Sequence, residues 1–515
     1  MTSSRGAKVI RTSRRLHAGR HDRDHKRGPF CWIRIFGYLT LAMGAVAQIA
    51  PFRLTLITFG LVTLSLLHSI VFMRFITLGT MFEIGFLALV GTDIVTNFDD
   101  LQGFINLDFL SAGVSLHILA FATLMTVYYL HSTKLGKEES TPSVSATRSP
   151  SLIAVVAVYV ATLLTLAPRA SQRFALGRSG SGGSALSSDS ALDALLGAAQ
   201  HGLVVSLGAL VTYTLMTRFK RGLVLSYAVC SPLLLMIFVI GTRYLLLYAV
   251  VPPVVIALAL RPDTKRVASL GGIIAIVAVV ASSAMRSFRT EGFANSRLAF
   301  DPIAVFGSEG LMKTSAQLVQ YFENRSHLFG ESTLSVLISP IPRSLWSDKP
   351  SLIGYWFPRE IQSPKSFSDG HSVSFGIIGD AYADGGTLGV FLFSTLLGLL
   401  LSVANTFAHR ALAAGGTNLL VASILYPTAF FAVRSPTTAC LTLAAATVIL
   451  LLATKPIKLL DPTKWPLRSD RRWGSSHRLS ERGGGTRDTL RARRASQDGH
   501  YNNSSGSAGR FEPGT

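Results

Sequence analysis

The stretch Ile341-Pro342-Arg343-Ser344-Leu345-Trp346-Ser347-Asp348-Lys349-Pro350 sets a guanidinium and an ammonium between prolines whose rings fix the backbone. Arg makes paired hydrogen bonds to phosphate oxygens and Lys supplies a compact charge, so together they suit a phosphate ligand. In a partly dehydrated site both would stabilise charge developing on a departing pyrophosphate. The competing role is anchorage, because Trp346 with Arg343 and Lys349 could equally hold a loop against lipid headgroups.

Further cations stand where a membrane protein tends to avoid them. Arg53, Arg243 and Arg434 each fall in a turn of a few residues between apolar runs, and Arg286 and Arg289 follow another run. Snorkelling to headgroups or capping of helix ends accounts for any one of them; five together point to a shared anionic ligand. Groups able to move a proton in the same part of the chain are Glu323, His327, Glu331, Asp348, His371, Asp380 and Asp384. Asp99-Asp100 could hold a divalent metal or be simply solvated. Neither HExxH nor GxSxG occurs, no paired cysteine motif is present, and no metal or other cofactor is implied. Glu83 lies within an apolar run, where a carboxyl is costly unless paired. His68, His117 and His201 in other runs are its candidate partners.

The elements that must position these groups are transmembrane helices. The 515 residues are 49% apolar and 15% charged, with a mean hydropathy of +0.41, which excludes most soluble classes. Apolar runs of about 17 to 24 residues, the length that crosses roughly 30 Å of hydrocarbon, recur twelve times. They lie near 33–50, 54–73, 76–95, 109–130, 151–168, 194–217, 222–240, 244–260, 267–284, 386–405, 418–433 and 437–454. The amino-terminal arm 1–31 holds nine basic and two acidic residues, and the tail 455–515 thirteen and six. Positively charged short segments stay cytoplasmic, so both ends are expected inside a multi-pass cytoplasmic-membrane protein. The formal charge of +21 then reflects topology and lipid affinity rather than nucleic-acid binding. The Arg/Ser/Gly composition of the tail predicts little order.

The expected organisation is a basic arm (1–31), nine helices (32–284), a large external loop (285–385), three helices (386–454) and the basic tail (455–515). Other external turns are much shorter, and a single loop of that size usually carries function. Within it, Ser308–Phe322 places Leu311, Met312, Ser315, Ala316, Leu318, Val319 and Phe322 on one side of a helix. Ser308 and Glu309 would open that helix, and the outer membrane surface is its expected seat. Thr333–Ile341 is apolar but too short to cross, so it should dip into the interface or pack over the bundle.

The string from Ile341 to Trp346 leading into Lys349-Pro350 resembles the O-antigen, or oligosaccharide repeat-unit, polymerase family of the Wzy type. So do Asp369-Gly370-His371-Ser372-Val373-Ser374 and Tyr382-Ala383-Asp384-Gly385-Gly386-Thr387-Leu388-Gly389, together with Gly241-Thr242-Arg243 and Phe329-Gly330. Ser347 stands where the family pattern has Pro. The likeness covers about 240–405 and extends to the first seven helices only by hydropathy. It implies an all-α polytopic bundle of about twelve transmembrane helices related to the lipid-dependent GT-C-like glycosyltransferases. It also implies transfer of a growing glycan from polyprenyl pyrophosphate to the sugar hydroxyl of another lipid-linked unit, on the outer face of the cytoplasmic membrane. By the resemblance Arg343, Lys349 and Arg243 would hold pyrophosphate, and Arg286 and Arg289, singled out by their position alone, are added to the candidate phosphate ligands; His371 would take the proton, with Asp380 or Glu323 in reserve. The implied partners are the polyprenyl-pyrophosphate-linked oligosaccharide, membrane lipids, and a flippase and chain-length regulator of the same pathway. Three rivals remain: an O-antigen ligase-like transferase; a lipid-linked oligosaccharide flippase or transporter, which the intramembrane Glu83 would favour; and a nonenzymatic scaffold for a glycan assembly complex, which fits the long tails but leaves the external arginines unexplained.

Overall fold

The computed structural model describes residues 28–47, 51–68, 77–94, 106–135, 150–180, 191–260, 280–281, 285, 310–339, 341–342, 344–361 and 373–454. All of these belong to the first of two units, 1–457. Every regular element among them is helical: α1 (Gly28–Val46), α2 (Pro51–His68), α3 (Leu78–Phe86), α4 (Leu107–Leu135), α5 (Leu152–Gly180), α6 (Ala191–Arg218), α7 (Gly222–Ile240), α8 (Arg243–Leu260), α9 (Leu311–Phe322), α10 (Glu331–Leu337), α11 (Ile353–Ile361), α12 (Gly379–Ala414), α13 (Gly416–Phe431) and α14 (Pro436–Thr454). Among the described residues seven helices are long and apolar enough to cross a membrane, and α1, α2 and α13 are shorter apolar helices. The chain is a membrane-embedded helical bundle. Of the twelve expected runs, 267–284 falls almost wholly outside the described residues, as do Ser308, Glu309 and the Asp99-Asp100 pair.

Hydrophobicity all round a helix requires burial all round it. That is the position of α13, whose residues from Leu419 onward are nearly all buried and which meets α3, α6, α8, α12 and α14. Two other helices act as hubs: α4 gathers α1, α9 and α12, and α6 gathers α5, α7, α8 and α14. Small residues let these backbones approach. A Cβ at Gly85 of α3 would sit 2.6 Å from the Phe430 carbonyl of α13, and one at Gly398 of α12 would sit 2.5 Å from the Leu124 carbonyl of α4. The third run is less regular than its apolarity suggests, since α3 passes into a π-helical turn at Leu87–Gly91.

Two expectations need correction. The amphipathic helix begins at Leu311 after Gly310 and lies on α4 and not on lipid. Leu311, Met312, Ala316, Leu318 and Phe322 are buried against protein. The buried carboxylate of Asp93 accepts the Gly310 N–H at 3.2 Å and the Met312 N–H at 2.8 Å, satisfying the free amides of the helix start. Tertiary structure thus supplies the cap that periodicity assigned to Ser308. His117 of α4 and Ser315 of α9, 2.9 Å apart, fasten the same face.

Among the described side chains Glu83 meets hydroxyls and not His117 or His201, and the His68 side chain lies outside the described residues. The Glu83 carboxylate accepts hydroxyl hydrogens from Tyr38 at 2.8 Å, Tyr129 at 2.9 Å and Ser65 at 2.6 Å. Arg34 donates to the Tyr129 hydroxyl at 2.9 Å and the Ser65 carbonyl at 2.8 Å. A carboxyl costly in an apolar interior is accommodated because α1, α2 and α4 each bring a donor to it.

Candidate functional site

The segment 310–384 is bonded onto the end of the bundle marked by the α13–α14 turn. Ser374 Oγ donates to the Arg434 carbonyl at 3.0 Å, and Thr437 Oγ1 donates to Asp380 Oδ2 at 2.7 Å. Ser332 Oγ of α10 donates to the other Asp380 oxygen at 2.8 Å. One helical turn later, Asp384 accepts the Ser332 and Thr333 N–H groups at 2.8 and 2.9 Å, which caps α10. Beyond Asp384 the long helix breaks at Gly385 and Gly386, the latter at φ +59°, so the start of α12 turns away from its membrane portion. His327 fills the break, stacked on Phe322 at 5.3 Å and edge-on to Tyr382 at 5.6 Å. The structure therefore brings Asp380, Asp384, His327 and Glu331 into one corner, where the first three act as brace, cap and packing element respectively.

A cationic patch is built beside that corner from four elements, α5, α6, α8 and the α13–α14 turn. Arg434 lies over the Tyr244 ring with its guanidinium carbon 5.7 Å from the centroid. The Tyr244 hydroxyl and His201 Nε2 are 3.0 Å apart. Next to His201, Gln200 is buried and accepts a hydrogen bond from Arg169, while its amide nitrogen has no partner. Arg243 opens α8 immediately before Tyr244. Three arginines, a histidine and an unsatisfied amide donor on neighbouring helices and the α13–α14 turn form a surface that can hold an anion with several oxygens.

Lys349 folds back on its own loop. Its ammonium donates to the carbonyls of Ser339 at 3.1 Å and Ile341 at 2.6 Å, closing the turn between the prolines and leaving it half-exposed. Glu323 stands exposed at the carboxyl end of α9. Arg343, His371, Arg286 and Arg289 lie outside the described residues. Among the described residues no group of three or more His, Cys, Asp or Glu side chains converges as a metal site would.

Sequence reasoning overlooked Arg169, Gln200 and Tyr244. The available signal was the one that picked out Arg243: an arginine directly after an apolar run on the side where positive charge is disfavoured. Nothing in the spacing joined Gln200 to it, because that partnership is made between α5 and α6. No family model, curated protein or solved structure matches the chain.

Proposed function

We propose that this protein is a glycosyltransferase of the cytoplasmic membrane that polymerises polyprenyl-pyrophosphate-linked oligosaccharide units into a surface polysaccharide. In this reading about twelve helices span the bilayer in a GT-C-like bundle, both termini face the cytoplasm, and the arginine patch opens on the outer side. The observation that carries it is the run of contacts from Arg434 over Tyr244 to His201, with Arg169 bonded to the neighbouring Gln200 and Arg243 directly before Tyr244 in the chain, at the bundle end to which described parts of the segment 310–384 are bonded. Cations fixed at the water edge of a membrane bundle suit the diphosphate of a lipid whose tail stays in the bilayer.

In the reaction the acceptor sugar hydroxyl forms a bond to the anomeric carbon as the bond to pyrophosphate breaks. The bonding electrons leave on the pyrophosphate, where the arginines neutralise them, and the hydroxyl proton passes to a base. His371 and the exposed Glu323 fit that base better than Asp380, whose two oxygens already accept hydroxyls from Ser332 and Thr437. The loop cations Arg343 and Lys349, with Arg286 and Arg289, complete the charge around the donor.

The test is glycan chain length in cells carrying Arg243→Ala or Arg434→Ala, with membrane levels of the protein measured alongside. Collapse to single repeat units at normal protein level supports the polymerase. Persistence of long chains overturns it. Full-length polymer left on the lipid carrier would indicate the ligase, and lipid-linked units trapped on the cytoplasmic side the flippase.

A further inference from the structure

The short helix α10 is inside out. Its buried side is Ser332, at 2% exposure, and Ser335, at 1%, with Val336, whereas Leu334 and Leu337 are 47% and 57% exposed. A helix facing water does the reverse, burying leucine and exposing serine. The same inversion runs through the chain on both sides of α10. Phe329 is 87% exposed and Leu345 77%, and Ile341 and Trp346 are also exposed. Phe329 is held out at a cost, since its φ of +49° is the single left-handed value at a non-glycine residue among the described residues. The Leu328 and Phe329 N–H groups fix it by donating to the Ala383 and Asp384 carbonyls at 2.8 and 3.0 Å.

What covers this face follows from its neighbours. α10 lies on α12 and α14, two of the helices long and apolar enough to span the membrane. Just beyond the Gly385-Gly386 break, α12 presents Leu388, Phe391, Leu392 and Leu396 outward, the lipid-facing side of a spanning helix. The leucines of α10 continue that apolar surface past the end of the bundle.

We propose that residues 329–339 together with Ile341, Leu345 and Trp346 form a wedge inserted among the acyl chains of the leaflet on the Arg434 side of the bundle, with the occupant of its apolar face being bilayer lipid. Trp346 sits at the water boundary of the wedge, as indole rings do at membrane interfaces. Of the two seats expected for Thr333–Ile341, dipping into the membrane interface or packing over the bundle, the wedge takes the first, and Asp380 and Asp384, which bond α10, tie its depth to the geometry of the site. This inference rests on burial and contacts alone and is independent of the glycosyltransferase reading.

The experiment uses the full chain in phosphatidylcholine bilayers, with nitroxide labels at Leu334→Cys and Leu337→Cys after Cys31, Cys230 and Cys440 are changed to Ser. Leu392→Cys is the lipid reference and Asn324→Cys the water reference. The wedge predicts collisions with dissolved oxygen as frequent as at position 392 and with a water-soluble nickel chelate as rare. Nickel access like that at position 324 overturns it. Shielding from both, with dipolar broadening between labels, replaces lipid with a second copy of the chain and also overturns it. A second measurement keeps the native cysteines: the fluorescence difference between wild type and Trp346→Phe should be quenched by acyl-brominated phosphatidylcholine, and an unquenched difference counts against the wedge.

Discussion

Asp93 and Met312 are joined by a 2.8 Å hydrogen bond from the Met312 amide to the Asp93 carboxylate. Through it the end of one apolar segment sets where the amphipathic helix of a remote segment begins. Cutting that bond should loosen α9 without disturbing the bundle. Asp93→Asn retains an acceptor and should keep most of the stability; Asp93→Ala should lose about 1 kcal/mol, the usual worth of a helix amino-terminal cap. Limited proteolysis near residue 310, compared with thermal unfolding of the whole protein in detergent, checks both effects.

The Arg34–Glu83 network should show a dependence among its members. Glu83→Leu strands the Tyr38, Tyr129 and Ser65 hydroxyls now bonded to it and should cost about 1–3 kcal/mol for each group left unsatisfied. Glu83→Gln, which keeps one acceptor oxygen, should cost less. Adding Arg34→Met to Glu83→Leu should recover part of the loss, because an uncompensated half-buried charge is then removed as well. Melting temperatures of the three variants and the wild type test the ordering; equal melting temperatures would refute it.

The break in α12 predicts a contrast between adjacent glycines. A Cβ at Gly385 meets nothing within 4 Å, whereas one at Gly386 would lie 2.7 Å from His327 Nε2 at a backbone φ of +59°. Gly385→Ala should be nearly neutral. Gly386→Ala should lose about 1–3 kcal/mol from backbone strain, since φ +59° with ψ −148° is a conformation open essentially only to glycine, with a further cost from displacing the His327 ring. Gly386→Ala combined with His327→Ala relieves the clash and leaves the strain, so the double variant separates the two in a denaturation series.

Tyr244 carries two separable interactions, a ring beneath Arg434 and a hydroxyl beside His201. Under the proposed function Tyr244→Phe should shorten the polymer slightly, and Tyr244→Ala, which releases Arg434, should reduce it much further. Glycan ladders from cells with matched protein levels report the difference, and equal ladders would remove Tyr244 as the support of Arg434.

Apolar run length located ten of the helices to within a few residues at most of their ends, because the hydrocarbon thickness that a span must match leaves its mark in each helix separately. Side-chain periodicity likewise identified the buried face of α9, for the face of a helix is set by its own 3.6-residue repeat. Sequence also singled out Glu83, Arg243 and Arg434, since charge in or beside an apolar run is costly wherever the run ends up. Tertiary structure decided everything that needed a second segment. The cap of α9 came from Asp93, and the partners of Glu83 were hydroxyls of Tyr38, Ser65 and Tyr129 in place of the expected His117 or His201. Asp380 and Asp384 became the braces of an inverted helix, and Lys349 bonded its own loop. Arg169 reached Gln200 from another helix. The physical reason is the same in each case: a hydrogen bond depends on distance and direction between atoms that chain spacing does not fix, whereas hydropathy and helical period are properties of a segment by itself.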